Sequence, residues 1–183
     1  MKYELTNETH PSYSILHRIR ALRDIPERGV KAGDLGGWIE SESNLSQSGT
    51  AWVYDNARVY DNARVYDNAR VYDTARVYDN AQVSDNAQVS DNAWVYGTAQ
   101  VYGARHVTTL GPVGSENRTV TIYRDKDGTT RIVAGCWTGT PDELAERITD
   151  AWPDANPADR KAWTSDYKTV IKLARKREKE WNR

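Results

Sequence analysis

The sequence predicts a mainly β protein: a parallel β-helix, or solenoid, with an N-terminal β cap and a small C-terminal ββαα unit. Three observations predict it. Residues 51–103 repeat every six residues without a slip, with Val at 53, 59, 65, 71, 77, 83, 89, 95 and 101 and Ala at 51, 57, 63, 69, 75, 81, 87, 93 and 99; a fixed short period decides architecture before local propensity does. Within each unit, small or apolar residues (Ala57, Val59) alternate with large or polar ones (Arg58, Tyr60), the period-two pattern of a half-buried strand. Beyond the repeat the pattern changes, and Thr140-Pro141-Asp142-Glu143 reads as a helix start, with Thr as N-cap, Pro at the first position and Glu reaching back. The 183 residues divide accordingly into a cap over 1–38, a hexapeptide β-helix over 39–104 and a C-terminal unit over 105–183.

In the cap, the stretch from Leu16 to Leu22 alternates and reads as a strand, broken by Pro26 and Gly29. Gly33-Asp34-Leu35-Gly36-Gly37-Trp38-Ile39-Glu40 reads as a tight turn into the repeat, where glycines permit positive φ. Ile39 and Leu45 are six apart, so the solenoid starts one partial coil early. Leu45 to Val53 is eight residues, a two-residue insertion. Terminal repeats are atypical because they must cap an open strand edge.

Four-residue strands joined by two-residue corners cannot form hairpins throughout, because each strand would have only its own small inner face. Winding them into a solenoid lets every coil pair with the next. The strained corner is expected at the third residue after each Val (Asn56, Asn62, Asn68, Thr74, Asn80, Asn86, Asn92, Thr98), since Asn enters the left-handed region more readily than most residues and β-branched Thr resists it. An aliphatic residue with a small one four further on, as in Val53 with Ala57 and Val59 with Ala63, resembles the hexapeptide-repeat, left-handed parallel β-helix family. The resemblance implies three hexapeptides per triangular coil, so that residues eighteen apart stack at roughly 4.8 Å.

On that spacing one face carries Arg58, Arg76 and Trp94 beside Tyr60, Tyr78 and Tyr96, and it alone has an unbroken Tyr ladder. Tyr and Arg are enriched at interfaces, which makes this the candidate binding or assembly face. The competing account is that the Tyr ladder only stabilises parallel strands. The head, from Lys31-Ala32-Gly33-Asp34-Leu35-Gly36-Gly37-Trp38-Ile39-Glu40 through Asn44-Leu45-Ser46 to Ala51-Trp52-Val53-Tyr54, resembles a group of proteins encoded by phages and prophages of enteric bacteria. That resemblance implies an origin and carries no activity.

Residues 104–118 read as a link with Gly111-Pro112 and Gly114-Ser115. A β-hairpin follows, from Thr119–Arg124 through Asp125-Lys126-Asp127-Gly128 to Thr129–Trp137. One helix should run to about Trp152 and a second from near Pro157 to the C-terminus. Six acids (Asp142, Glu143, Glu146, Asp150, Asp154, Asp159) mark the first helix region, and a basic helix follows with Lys168, Lys172, Arg175, Lys176, Arg177 and Lys179. Paired helices with complementary charge explain this; a basic helix for nucleic acid or an acidic partner is the less favoured alternative.

The net charge of −1 argues neither for nor against nucleic acid. The single cysteine, Cys136, excludes a disulfide framework and a multi-Cys metal site, and its place in the Ile132–Trp137 strand reads as that of a small buried hydrophobe. There is no apolar leader at Met1–Leu5 and no run of membrane length. No cofactor and no metal are called for: the stacked corner Asp residues could in principle hold a hard cation, but water-screened turn Asp accounts for them.

The leading reading is a non-enzymatic, phage-encoded binding protein in the host cytoplasm. It would be a homo-oligomer, a trimer as members of the resembled family tend to be, acting on a host protein or defence system by occlusion or by sequestering a small ligand. Two alternatives stand beside it. One is a virion structural component of tail or spike. The other is a hexapeptide acyltransferase, for which His106 at the end of the last coil is the only His placed to serve.

Overall fold

The computed structural model describes residues 1–182, which form two compact units, Met1–Ala104 and a second over 105–182. In the first, β1 (Tyr3–His10) and β2 (Tyr13–Ala21) make an antiparallel hairpin, and β3 (Leu35–Ile39) pairs antiparallel with β2. The hexapeptide strands follow, each the second and third residue of its unit: β4 (Trp52–Val53), β5 (Arg58–Val59), β6 (Arg64–Val65), β7 (Arg70–Val71), β8 (Arg76–Val77), β9 (Gln82–Val83), β10 (Gln88–Val89), β11 (Trp94–Val95) and β12 (Gln100–Val101). They pair in parallel with partners eighteen residues on, such as Val59 with Val77 and Val77 with Val95. Three sheets result: β4-β7-β10, β6-β9-β12, and a longer one ordered β1-β2-β3-β5-β8-β11. The chain is thus a mainly β protein with a β-solenoid, N-terminal strands and two C-terminal helices.

The alternation read from the sequence is the inside–outside alternation of the coil. Every repeat Ala and Val from Ala51 to Val101 is at most 1% exposed, while Arg58 and Tyr60 and their equivalents point outward and, apart from buried Trp52 and Ser84, are half-buried or exposed. Each buried Val contributes roughly 1.5 kcal/mol or more, so a thin interior gains its stability by being continuous. The backbone ladder carries the pairing: Arg58 N–H donates to Ala75 O at 2.9 Å and Tyr60 N–H to Val77 O at 3.1 Å.

The partial first coil is present. Ile39 pairs with Val59 and Leu45 with Val65, twenty residues apart, whereas Val53 pairs with Val71 at the regular eighteen. Buried Asn44 secures this coil: its Nδ2 donates to Asp61 O and Ala63 O, both at 3.0 Å, and its Oδ1 accepts from Ser41 N–H at 2.8 Å. Close approach dictates Gly37, where a Cβ would sit 2.6 Å from Val53 Cγ1 and 2.8 Å from Ala57 O. The hairpin is anchored on the coil by Gln47, whose side-chain amide accepts from Lys2 N–H at 2.7 Å and donates to Tyr3 O at 3.1 Å, and by the Tyr3 hydroxyl, which donates to Leu45 O at 2.6 Å. Lys2 is fully buried, its ammonium donating to Ala51 O at 2.7 Å, and that burial lowers its pKa to about 8.

One expectation about the coil is corrected. The strained residue is the second after each Val: Asp55, Asp61, Asp67, Asp73, Asp79, Asp85 and Asp91 have φ between 49° and 59°, and Gly97 occupies the same place at 67°. The following Asn or Thr is not in the positive-φ region. The corner is a turn closed by Ala57 N–H on Tyr54 O at 3.0 Å, with positive φ at its first central position, as in type II′ geometry. Asp tolerates it because its carboxylate is used there: Asp73 Oδ2 accepts from Asp91 N–H at 3.0 Å, Asp61 Oδ2 from Asp79 N–H at 3.3 Å and Asp79 Oδ2 from Gly97 N–H at 3.1 Å. The Asn position carries a second ladder, as in Asn62 Nδ2 to Asn80 Oδ1 at 3.3 Å, and the Thr74 hydroxyl joins it by donating to Asn92 Oδ1.

The second unit is a four-stranded antiparallel sheet in sequence order, β13 (Val107–Val113), β14 (Arg118–Arg124), β15 (Thr130–Ala134) and β16 (Trp137–Gly139), with helices α1 (Pro141–Arg147) and α2 (Pro157–Trp181). Its core joins Val120, Ile122 and Ile132 to Leu144 and Ile148 and to Tyr167, Val170, Ile171 and Ala174 of α2. Thr140 caps α1 as expected, accepting from Glu143 N–H at 3.2 Å while Glu143 Oε2 accepts from Thr140 N–H at 2.7 Å.

Three expectations change here. The link over 104–118 contains β13, because the β-branched run Val107-Thr108-Thr109 pairs with β14 before Gly111 and Pro112 interrupt the register. α1 ends at Arg147 rather than near Trp152: the Thr149 hydroxyl turns back to Ala145 O at 3.2 Å, and Trp152 takes a positive φ of 55° ahead of Pro153. Cys136 is exposed, in the turn between β15 and β16, where Gly135 at φ 64° ends the strand that was expected to continue through it.

Candidate functional site

The longest sheet of the first unit positions the candidate face. Because β3 pairs with both β2 and β5, the outward side chains of the hairpin continue the outward row of the coils. Arg18, Trp38, Arg58, Arg76 and Trp94 are register partners on five adjacent strands. The guanidinium of Arg18 lies over the Trp38 ring at 4.8 Å, that of Arg58 over Tyr13 at 4.9 Å and that of Arg76 over Trp94 at 4.8 Å. His10 closes the hairpin end of the row, 5.0 Å from the Trp38 ring and 5.2 Å from Tyr13.

Beside this row runs the Tyr ladder. Tyr60 and Tyr78 stack at 5.1 Å with an interplanar angle of 1°, and Tyr78 and Tyr96 at 4.8 Å and 12°. All six residues singled out from the sequence, Arg58, Tyr60, Arg76, Tyr78, Trp94 and Tyr96, therefore lie on one continuous surface. Sequence reasoning missed Arg18, Trp38, Tyr13 and His10, because they enter the row through antiparallel pairing of the cap, which has no period. Trp38 was within reach: it precedes Ile39 as Arg58 precedes Val59.

Electrostatics make the row a donor surface. The Nε atoms of Arg18, Arg58 and Arg76 and the Trp38 indole Nε1 are buried without a hydrogen-bond partner among the described residues. No carboxylate among them pairs with these three arginines. Burial lowers the Arg58 pKa, with the Arg76 charge adding to it. Burial lowers that of His10 as well, with Arg58 and Arg76 contributing. The Tyr60 and Tyr78 hydroxyls are pushed up chiefly by burial and stay protonated.

The other candidates lie elsewhere. Lys168, Lys172, Arg175, Lys176 and Lys179 form an exposed stripe on α2, while half-buried Arg177 donates to Glu180 Oε2 at 2.9 Å. The helix is docked through its apolar side. The charge complementarity expected between the helices amounts, among the described residues, to Arg175 on Asp142 at 2.6 Å. His106 immediately precedes β13, its ring edge-on to Trp181 at 5.8 Å, and burial followed by the Arg124 charge lowers its pKa. Among the described residues no group of three His, Cys, Asp or Glu side chains is gathered to hold a metal, and no helix is long and apolar enough to cross a membrane.

The model of the family described as YdcK beta solenoid repeat matches residues 51–65, 63–79, 81–97 and 87–103. The matched segments fall on the hexapeptide coils, so the sequence match and the geometry agree on a repeat β-helix. A comparison with curated proteins finds no match.

Proposed function

We propose that this chain is a non-enzymatic binding protein whose partner engages the Arg–Trp row and the adjoining Tyr ladder. One observation carries the reading: three guanidinium groups, Arg18, Arg58 and Arg76, lie stacked on aromatic rings in a single row with buried Nε donors and, among the described residues, no carboxylate to satisfy them. Buried unsatisfied donors cost stability, and stacked arginine over aromatics is the composition of an interface centre. The partner that fits presents carboxylates or other acceptors at a spacing near that of adjacent strands, about 4.8 Å. Resemblance of the head to phage and prophage proteins extends the proposal to a host factor as that partner, met in the host cytoplasm. The repeat family's habit extends it to a trimer.

The test is capture from enteric bacterial lysate by wild type and by an Arg18→Gln/Arg58→Gln/Arg76→Gln variant, with mass measured by light scattering on both and on Tyr60→Ser/Tyr78→Ser/Tyr96→Ser. A ligand retained by wild type, released by salt and lost in the folded Arg variant supports partner binding. A trimer that becomes a folded monomer in the Tyr variant assigns the ladder to assembly. Equal capture by wild type and Arg variant sinks the reading.

A further inference from the structure

The geometry points to a small-molecule site within the C-terminal unit: a pocket for a flat ring carrying one anionic group. It is independent of the face proposed above. The pocket has a volume of about 440 Å³, inside the roughly 300–1,000 Å³ range of small-ligand sites. It lies between the β15–β16 turn, the end of α1 and the side of α2. Trp137, Trp152 and Tyr167 supply its aromatic walls, and Arg118 and Arg147 its charge.

Four features mark it as built rather than left over. Trp152 holds a backbone φ of 55°, a conformation bulky residues avoid. It is kept there by an indole N–H bond to Ser115 Oγ at 3.0 Å, by stacking on Tyr167 at 5.6 Å and 26°, and by the edge of Trp163 at 5.7 Å. Two glycines in left-handed conformation make room for lining side chains: a Cβ on Gly114 would sit 2.6 Å from Tyr167 Cε2, and one on Gly135 would collide with the Arg118 guanidinium. Gly114 N–H is itself fixed by Asp166 Oδ2 at 3.2 Å.

The charges then set the ligand class. Arg118 pairs with Glu116 at the lip, so two guanidinium groups face one carboxylate and one positive charge is left over. Arg147 lies 5.9 Å from the Trp137 ring, beside an aromatic plane rather than on an acid. A ring inserted against these walls places a single carboxylate or phosphate at the arginines, where bidentate guanidinium contacts recognise either.

The experiment follows the indole N–H resonances of the full chain by NMR while indole-3-carboxylate or adenosine 5′-monophosphate is added, with indole and adenosine as uncharged counterparts. The Trp137 and Trp152 signals should move with at least one charged probe. Its affinity should fall about tenfold or more in Arg147→Gln, as expected for losing a charge-assisted contact, and less in Arg118→Gln, whose charge Glu116 shares. Preference between the two probes tells carboxylate from phosphate. If Arg147→Gln misfolds, Arg147→Lys keeps the charge without the planar fork and should give a smaller loss. Unmoved Trp137 and Trp152 signals with both charged probes overturn the proposal. So does binding of an uncharged counterpart as tight as its charged form, or unchanged affinity in the folded arginine variants.

Discussion

The two units are stabilised by different kinds of order. Among the hexapeptide strands β4 to β12 every pairing has the same eighteen-residue separation, so Val59, Val77 and Val95 occupy equivalent environments and the interior there needs only two residue types. In the C-terminal unit no environment recurs: Ile132, Leu144 and Tyr167 meet from three different elements, each with its own shape. The difference shows in how the two proposed sites are marked. In the periodic unit the proposed face is marked by departures from the period on the outer side, such as Trp94 where the two preceding coils of the same sheet have Arg58 and Arg76. In the aperiodic one the proposed pocket is marked by strained or space-making residues, such as Trp152, Gly114 and Gly135.

The largest expected effect tests whether the two units are energetically separate. Gly37→Val places side-chain atoms within the reach of Val53 and Ala57 O, an overpacking against backbone in the last strand of the cap. A loss of more than about 4 kcal/mol is expected, enough to unfold the first coil. Hydrogen exchange read by mass spectrometry should show β3 to β6 deprotected while β14 and β15 keep their protection. Loss of protection in both units together would break the comparison and make the chain one cooperative structure.

The next effect belongs to the periodic unit's anchor. Lys2 has its pKa lowered from 10.5 to about 8 by burial, with Arg23 and Arg28 adding to it. The folded state therefore binds fewer protons than the unfolded one between those values, so stability rises with pH across that window as Lys2 neutralises. From about pH 7.5 to 9.5 the gain should be about 2 kcal/mol, and it should vanish in Lys2→Met. Denaturant melts at the two pH values measure it; a flat profile in wild type would mean that Lys2 reaches solvent when charged.

How legible each unit was follows from the same contrast. The period alone pointed to the coil, the inward Ala and Val and even the irregular first turn through Ile39 and Leu45, because each conclusion was supported many times over; the eighteen-residue stacking was what the family resemblance implied. It misplaced the strained corner by one residue, since local propensity favours Asn over Asp and the reason for Asp is a bond from its carboxylate to a coil eighteen residues away. Gly97, standing in the Asp column, was the available signal. In the C-terminal unit the cap of α1 at Thr140 and the start of α2 near Pro157 were legible because they are local. β13 was not, because Gly111 and Pro112 obscured the β-branched run before them, and exposed Cys136 was misread because the turn at Gly135 has no second instance to reveal it. The six face residues were brought together as expected; the pocket was invisible because its lining comes from segments far apart in sequence.

A smaller effect separates the two accounts of the corner. Asp73 has φ 59°, so Asp73→Val should cost about 1–2 kcal/mol, and Asp73→Gly should lose less because Gly adopts that φ freely while giving up the bond to Asp91 N–H. Thr74 has ordinary φ and a hydroxyl in the inter-coil ladder, so Thr74→Gly should destabilise by roughly 0.5–1 kcal/mol. Stabilisation by Thr74→Gly in thermal melts would return the strain to the third residue.

The smallest effect asks whether the Tyr ladder is only structural. Tyr78 has a stacked neighbour on each side, Tyr60 and Tyr96, whereas Tyr66 has Ser84 eighteen residues on. Tyr78→Leu keeps most of the apolar area and loses both stacks, so it should cost about 1 kcal/mol, against a few tenths for Tyr66→Leu. The pH dependence adds a second reading. Burial, then Tyr96 and Tyr60, raises the Tyr78 pKa above its ordinary 10. The associated stability is fully present below pH 10 and is lost as the pH rises through the higher folded-state value. Wild type should therefore weaken above about pH 10 more than Tyr78→Leu does. If the two tyrosines cost the same and share one alkaline profile, ring stacking contributes nothing measurable to the coil, and the ladder's regularity is left to binding alone.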